Sequence, residues 1–207
     1  MRSPLRPTRK DIENSVIVTS EFEMDFSKAP FKTPAEFREH MKGDMGTKPW
    51  ANVPGLRSKW FWYDEKNCIC GGIYTFFNMK AVEDYKKTDT FKGMWHYPFI
   101  KSETIKIEIH ENCAGGELTA EMGSWPISKG GPLVFEDLKT ACILMPTFTV
   151  DHTKIDDKKF KGMDKFRSML AGGATSMWSG VPGLYNKWFT IGPDGADAGA
   201  GMYIFKT

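Results

Sequence analysis

Three groups of residues have types and spacings that could carry chemistry. The first is an acid–base set on two strands. In S-V-I-V-T-S-E-F-E-M-D (15–25), period-two alternation puts Val16, Val18, Phe22 and Met24 on one face and Thr19, Glu21 and Glu23 on the other. In T-I-K-I-E-I-H (104–110), Ile105, Ile107 and Ile109 take one face and leave Lys106, Glu108 and His110 on the other. A carboxylate near a histidine and a lysine can act as a general base with a shifted pKa. The same residues also make an ordinary salt-bridged sheet face. Glu21, Glu108 and His110 are therefore the candidate catalytic groups, with Lys106 as a candidate ligand contact.

The second group is L-R-S-K-W-F-W-Y (56–63). Ser58, Trp60 and Trp62 share one face, and Arg57, Lys59, Phe61 and Tyr63 the other; both faces are amphipathic enough to serve. Lys59 beside Trp60 reads in two ways. A lysine can lay its stem on an aromatic ring and keep its head in water, or its ammonium can bind an anion or an oxygen species. The third group is Tyr74 and Phe76, matched later by Tyr203 and Phe205. Aromatic residues at this spacing pack cores, and they also line small-molecule pockets that need a few polar handles. Lys59, Trp60, Tyr74, Phe76 and Lys106 form the candidate ligand-binding set.

Metal and nucleotide chemistry find little here. The four cysteines, Cys68, Cys70, Cys113 and Cys142, include no C-x-x-C, and His40, His96, His110 and His152 lack metal-type spacing beside them. Cys68 and Cys70, two apart on an expected strand, point the same way and read as reduced thiols. A-D-A-G-A-G (196–201) belongs to a hairpin and not to a strand-to-helix phosphate loop, so no nucleotide is expected. No metal or other cofactor is expected either.

These residues are positioned by a repeat. W-A-N-V-P-G-L-R-S-K-W-F (50–61) returns as W-S-G-V-P-G-L-Y-N-K-W-F (178–189), each followed by a turn and a second strand, so each is the entry to a β-hairpin. Around the first copy the order is strand (15–25), helix starting at Thr33-Pro34 with Glu36 at N3, strand (56–63), strand (68–77), helix capped by Asn78, and strand (104–110). Gly43 and Gly46 are expected to end the first helix. Gly71 and Gly72 signal a bulge or a close approach to the backbone. The β-α-β-β-α-β order is the ferredoxin-like split βαβ motif with sheet order 4-1-3-2, which makes the first and fourth strands neighbours.

Residues 1–14 are expected to be a disordered basic arm, 15–110 the first ferredoxin-like unit, 111–140 a Gly- and Pro-marked linker with an extra strand near 117–125, and 141–207 a second unit. The second unit lacks a second helix and a fourth strand, so either 117–125 or a partner chain is expected to cover its first strand, a truncated product being the other explanation. Pro146 must take an edge or bulged position in that strand. Thr147 and Thr149 stand where the first unit has acids, which places any site in the first unit.

The composition fits an α+β protein with a sizeable core: 207 residues, net charge +2, and 15 Phe, 7 Trp and 6 Tyr. That balance offers no argument for a nucleic-acid partner. No run of about 18 apolar residues predicts a membrane span. The N-terminus lacks a secretory h-region, so a cytoplasmic or other reducing intracellular location is expected.

V-P-G-L-R-S-K-W-F-W-Y (53–63), G-G-I-Y-T-F (71–76) and the helix that follows resemble the provisional mono-oxygenases of the YdhR type, in the dimeric α/β-barrel superfamily of antibiotic-biosynthesis mono-oxygenase-like proteins. The resemblance implies tandem ferredoxin-like units forming a pseudo-dimer. It implies a small oxygenase that needs no cofactor and holds an aromatic or polyketide-like molecule. The wider family pattern places acid, Trp, Asp and a helix His where this chain has Tyr74, Phe76, Asn78 and Tyr85. Two functions stay open on these residues: a cofactor-independent mono-oxygenase-like protein, or a non-catalytic accessory subunit or ligand-binding module on the same fold, as a homo-oligomer or part of a larger assembly.

Overall fold

The computed structural model describes residues 14–42, 44–119, 141–154, 178, 181–191 and 198–205. The chain divides into two compact units, Ser15–Ile109 and the described residues that follow.

The first unit runs β1 (Val16–Glu23), α1 (Pro34–Lys42), α2 (Asp44–Ala51), β2 (Leu56–Asp64), β3 (Ile69–Phe76), α3 (Met79–Lys86), α4 (Asp89–Lys92) and the start of β4 (Lys106–Thr119). Its strand order is β2-β3-β1-β4, with β3 antiparallel to both β1 and β2. Val16 and Val18 stand opposite Phe76 and Tyr74. These four pack with Val82 and Tyr85 of α3 to form one core cluster, joined by Ile107 and Ile109. A second cluster gathers Met24, Ala29, Phe31, Phe37 and Cys70. The register assigns the two faces of β2: Lys59, Phe61 and Tyr63 stand opposite Tyr74, Gly72 and Cys70 on the helix side, and Trp60 and Trp62 stand opposite Ile73 and Gly71 on the other.

The V-P-G-L segment is a tight turn used twice. Gly55 and Gly183 both have φ of 74°, the left-handed value that the third residue of a type II turn requires after Pro. In each copy the leucine N–H donates to the valine carbonyl at 3.3 Å, Leu56 to Val53 and Leu184 to Val181. The valine N–H donates in turn to the tryptophan carbonyl, Val53 to Trp50 at 3.2 Å and Val181 to Trp178 at 3.1 Å. The same pair of backbone bonds thus leads the chain into β2 and into its counterpart β7 (Leu184–Ile191).

Several local expectations are revised. The first helix ends at Lys42, where the Gly43–Gly46 stretch was expected to stop it, but an unexpected second helix, α2, follows from Asp44 and carries Pro49 inside its last turns; Trp50 packs on Phe61, Tyr74 and Tyr85 at centroid distances of 6.3, 5.1 and 5.6 Å, and this packing outweighs weak local propensity. Cys68 lies in the hairpin turn with φ of 53°, exposed, while Cys70 is buried, so the two thiols do not share a face. The turn is held by Asp64, whose carboxylate accepts from the Asn67 N–H at 3.2 Å and from its side-chain amide at 2.6 Å.

β4 does not stop at His110. It continues to Thr119, and its second half pairs antiparallel with β7, Glu111 opposite Ile191 and Thr119 opposite Asn186, with a register shift between Asn112 and Glu117. Gly115 and Gly116 fall in that shift, so the glycines mark a bulged strand and not a turn. Residues 117–119 therefore border β7, not the strand they were expected to cover; the rest of 117–125 lies outside the described residues.

In the second unit the order is β4-β7-β8-β5, with β8 (Ala198–Phe205) antiparallel to β5 (Cys142–Leu144), β6 (Thr147–Thr149) and β7. Pro146 divides the expected 141–151 strand into β5 and β6, and its carbonyl accepts from the Gly201 N–H at 3.0 Å. The helix expected at 157–170 and the arm at 1–14 fall outside the described residues, Asn14 excepted. No helix among the described residues is long and apolar enough to cross a membrane.

Candidate functional site

Lys59 is the least expected feature of the first unit. Its position on β2 aims it at the helix side, and α2 brings Trp50 over it. Nζ lies 3.1 Å from the Trp50 ring centroid, 3.9 Å from Tyr74 and 4.3 Å from Phe61. The head, not the stem, meets the rings, which reverses the expectation of a wet ammonium. Among the described residues it has no carboxylate or hydrogen-bond partner, and loss of water alone pushes its pKa well below the ordinary lysine value. An ammonium facing rings keeps part of its electrostatic stabilisation. A neutral amine in the same place keeps a lone pair directed into an apolar space.

That space is a partly enclosed cavity of about 120 Å³. Its wall takes Phe22, Met24 and Cys70 from the strand face, Phe37 and Met41 from α1, and Trp50 from α2; Thr90, Met94 and Phe99 close the other side. The wall is built from sequence in a simple way. Helix-face positions of β1, β2 and β3 supply the floor, and the loop after α4 returns across them through the Met24–Ile100 bridge. His40, Tyr97 and Asp89 add polar atoms at the edge.

The other polar groups of the floor are held neutral. Burial pushes the Tyr74 hydroxyl up to about 12, partly offset by its 3.0 Å hydrogen bond with the Ser20 hydroxyl. Burial likewise pushes the Cys70 thiol far up, so it stays protonated. Gly72 leaves room for the Tyr74 ring, which a Cβ at position 72 would meet at 2.9 Å.

The candidate residues are distributed unequally. Lys59 and Tyr74 come together in the cavity wall. Phe76 shares their face but lies beneath Tyr85, 5.2 Å between centroids, in the core and not in the wall. Trp60 is on the opposite face. Half-buried Glu21 and exposed Lys106 pair with each other at 3.1 Å. Glu108 is exposed and His110 is buried, two residues apart on β4; neither lines the cavity. Trp50, Phe61 and His40 were missed as wall residues. Trp50 and Phe61 carried a usable signal, because Trp178 and Phe189 recur at the same spacing from Lys187.

The second unit repeats the cage. Lys187 Nζ lies 3.4 Å from the Tyr203 centroid, 4.0 Å from Phe189 and 4.4 Å from Trp178. Lys187 is 1% exposed, and burial lowers its pKa to about 7. Gly201 lies under Tyr203 as Gly72 lies under Tyr74.

No protein-family model matches the chain, and no curated protein does. Solved structures do. A protein of Lactobacillus acidophilus NCFM provisionally assigned as a monooxygenase aligns over 94% of this chain and 78% of its own, with TM-score 0.55 and 9% identity. One from Fusobacterium nucleatum with the same provisional assignment aligns over 93% and 76%, with TM-score 0.55 and 10% identity. An anthrone oxidase-like protein aligns over 95% and 75%, with TM-score 0.52 and 13% identity. At such identities the likeness concerns the fold alone: tandem ferredoxin-like units in an α+β chain.

Proposed function

We propose that the first unit binds a small aromatic molecule in the cavity beside Lys59, and that the chain works as a cofactor-independent, mono-oxygenase-like protein. One observation carries this reading: a lysine amine held among three aromatic rings, with no carboxylate partner among the described residues, in the wall of an apolar cavity. Oxygenation without a cofactor needs a substrate that becomes electron-rich by losing a proton, and a base to take it. The candidate acid Glu21 fits that task less well: it is paired with Lys106 on the far side of the sheet and does not line the cavity. Lys59 can accept the proton of a phenol or an activated methylene, and the three rings then stabilise the ammonium formed. The reaction class is R2CH2 + O2 → R2C=O + H2O, and one structural neighbour is described as an anthrone oxidase-like protein.

Size limits the substrate. A cavity of about 150 Å³ is known to hold benzene, so about 120 Å³ suits a single ring; a tricyclic anthrone requires the wall to move. The test is oxygen uptake with single-ring phenols and activated methylenes. The expected result is turnover that Lys59→Met lowers at least about tenfold, one lost hydrogen bond to a charged group being worth about 1.5–3 kcal/mol. A second reading, a ligand-binding module without turnover, is favoured by the recurrence of the cage at Lys187. Saturable phenol binding with no oxygen uptake would support it.

A further inference from the structure

We infer that Lys59 is a carbonyl-capturing residue: its Nζ condenses with the aldehyde or ketone of a small aromatic molecule seated in the cavity to form an imine. The inference rests on the reading of the cavity as an aromatic-molecule site and specifies a ligand class for it. Three features of the cavity favour the step. The amine has no carboxylate partner among the described residues, so it need not break an ion pair to react. The ordinary lysine ammonium is not a nucleophile; Nζ is set in the cavity wall 3.1 Å from the Trp50 centroid and 3.9 Å from that of Tyr74, where loss of water favours the neutral amine, which is. The competing nucleophile in the wall, Cys70, is held as the protonated thiol and does not compete for the carbonyl.

The titratable neighbours are His40, Tyr74, Asp89 and Tyr97, with Cys70. The Tyr74 hydroxyl, neutral up to about pH 12 and 3.0 Å from Ser20, does not draw the amine into a salt bridge. The chemistry balances without an oxidant or reductant. Nζ adds to the carbonyl carbon, and one N–H proton passes to the oxygen to give a carbinolamine. The C–O bond then breaks, the second N–H proton leaves with the oxygen as water, and C=N forms. Water departs through the open side of the cavity. The ring of the ligand meets the same apolar wall that would hold a phenol.

The test uses the full chain, benzaldehyde and borohydride at neutral pH, followed by proteolysis and mass mapping. Borohydride delivers hydride to the imine carbon and fixes the adduct as a benzyl amine. The expected result is a benzyl group on Lys59 in preference to the exposed, ion-paired Lys80 and Lys87. The preference should be at least about tenfold, the effect on neutral fraction of one unit of pKa depression. Phenol, which has no carbonyl, should protect Lys59 by occupying the cavity. Mapping on the unaltered protein gives the answer even where Lys59→Arg folds poorly. Labelling of Lys80 and Lys87 as fast as Lys59, with phenol still binding saturably, overturns the imine and leaves the cavity reading standing. Uniform labelling with no phenol binding overturns both.

Discussion

At the scale of single residues, Lys59 and Lys187 decide most of the chemistry. That they mattered was legible in W-x-x-V-P-G-L-x-x-K-W-F, because a lysine kept at one spacing in two hairpins answers a shared physical need. Which way the head pointed was not legible. Both faces of residues 56–63 are amphipathic, and only the pairing of Lys59 with Tyr74 and the arrival of Trp50 settle it. Glu21 and Lys106 meet on the face the strand pattern predicted, at 3.1 Å, but that face is turned away from the cavity. The glycine beneath each cage tyrosine is a second residue-scale device. Gly72→Ala should cost about 1–3 kcal/mol, as overpacking does, because the new Cβ meets the Tyr74 ring at 2.9 Å. Gly93→Ala is the control: it meets nothing within 4 Å and sits at φ −62°, so its stability should match or slightly exceed the parent. Urea denaturation of both variants checks the pair.

At the scale of elements, strands and capped helices were readable and breaks were not. Asn78 was expected to cap a helix, and its side chain accepts from the Ala81 N–H at 3.0 Å. Thr88 does the same for Phe91 at 3.2 Å and starts α4 after α3 has ended. Asn78→Ala should therefore destabilise by about 1 kcal/mol. A shift in denaturation midpoint without a change in slope is the expected signature. Glycine was readable at one place and misleading at another. The Gly43–Gly46 stretch marked the end of α1 at Lys42 but hid the new helix that Trp50 packing sustains from Asp44, and Gly115-Gly116 suggested a turn where β4 only bulges. Local punctuation records backbone cost, and tertiary packing or pairing can exceed it. Pro146 was the readable case, since its missing N–H leaves no choice but to interrupt the strand.

For the whole molecule, the two caged lysines make stability depend on pH in a definite direction. The folded-state pKa of Lys187 is about 7 against an ordinary 10.5, and that of Lys59 is lowered too. Between the folded and unfolded values the unfolded chain binds more protons, so stability rises with pH through that window. Below about pH 7 both states carry the Lys187 proton, and the full cost of a dehydrated ammonium is present. Unfolding of Lys187→Met should show a flatter profile from about pH 7 to 10, by up to about 1.4 kcal/mol per pH unit. An unchanged slope would mean that Lys187 is hydrated in the folded protein. The tandem α+β fold was legible in the repeat, and the position of the cavity was not, because it needs residues from β1, α1, α2 and the 93–100 loop that no single motif contains. Occupation of that cavity by one aromatic ring is tested most directly by phenol titration followed through tryptophan fluorescence, compared with Trp50→Phe. The predicted result is saturable one-to-one quenching that disappears in Trp50→Phe, since Trp50 is the tryptophan in the wall; linear, unsaturable quenching that is the same in both proteins would contradict it.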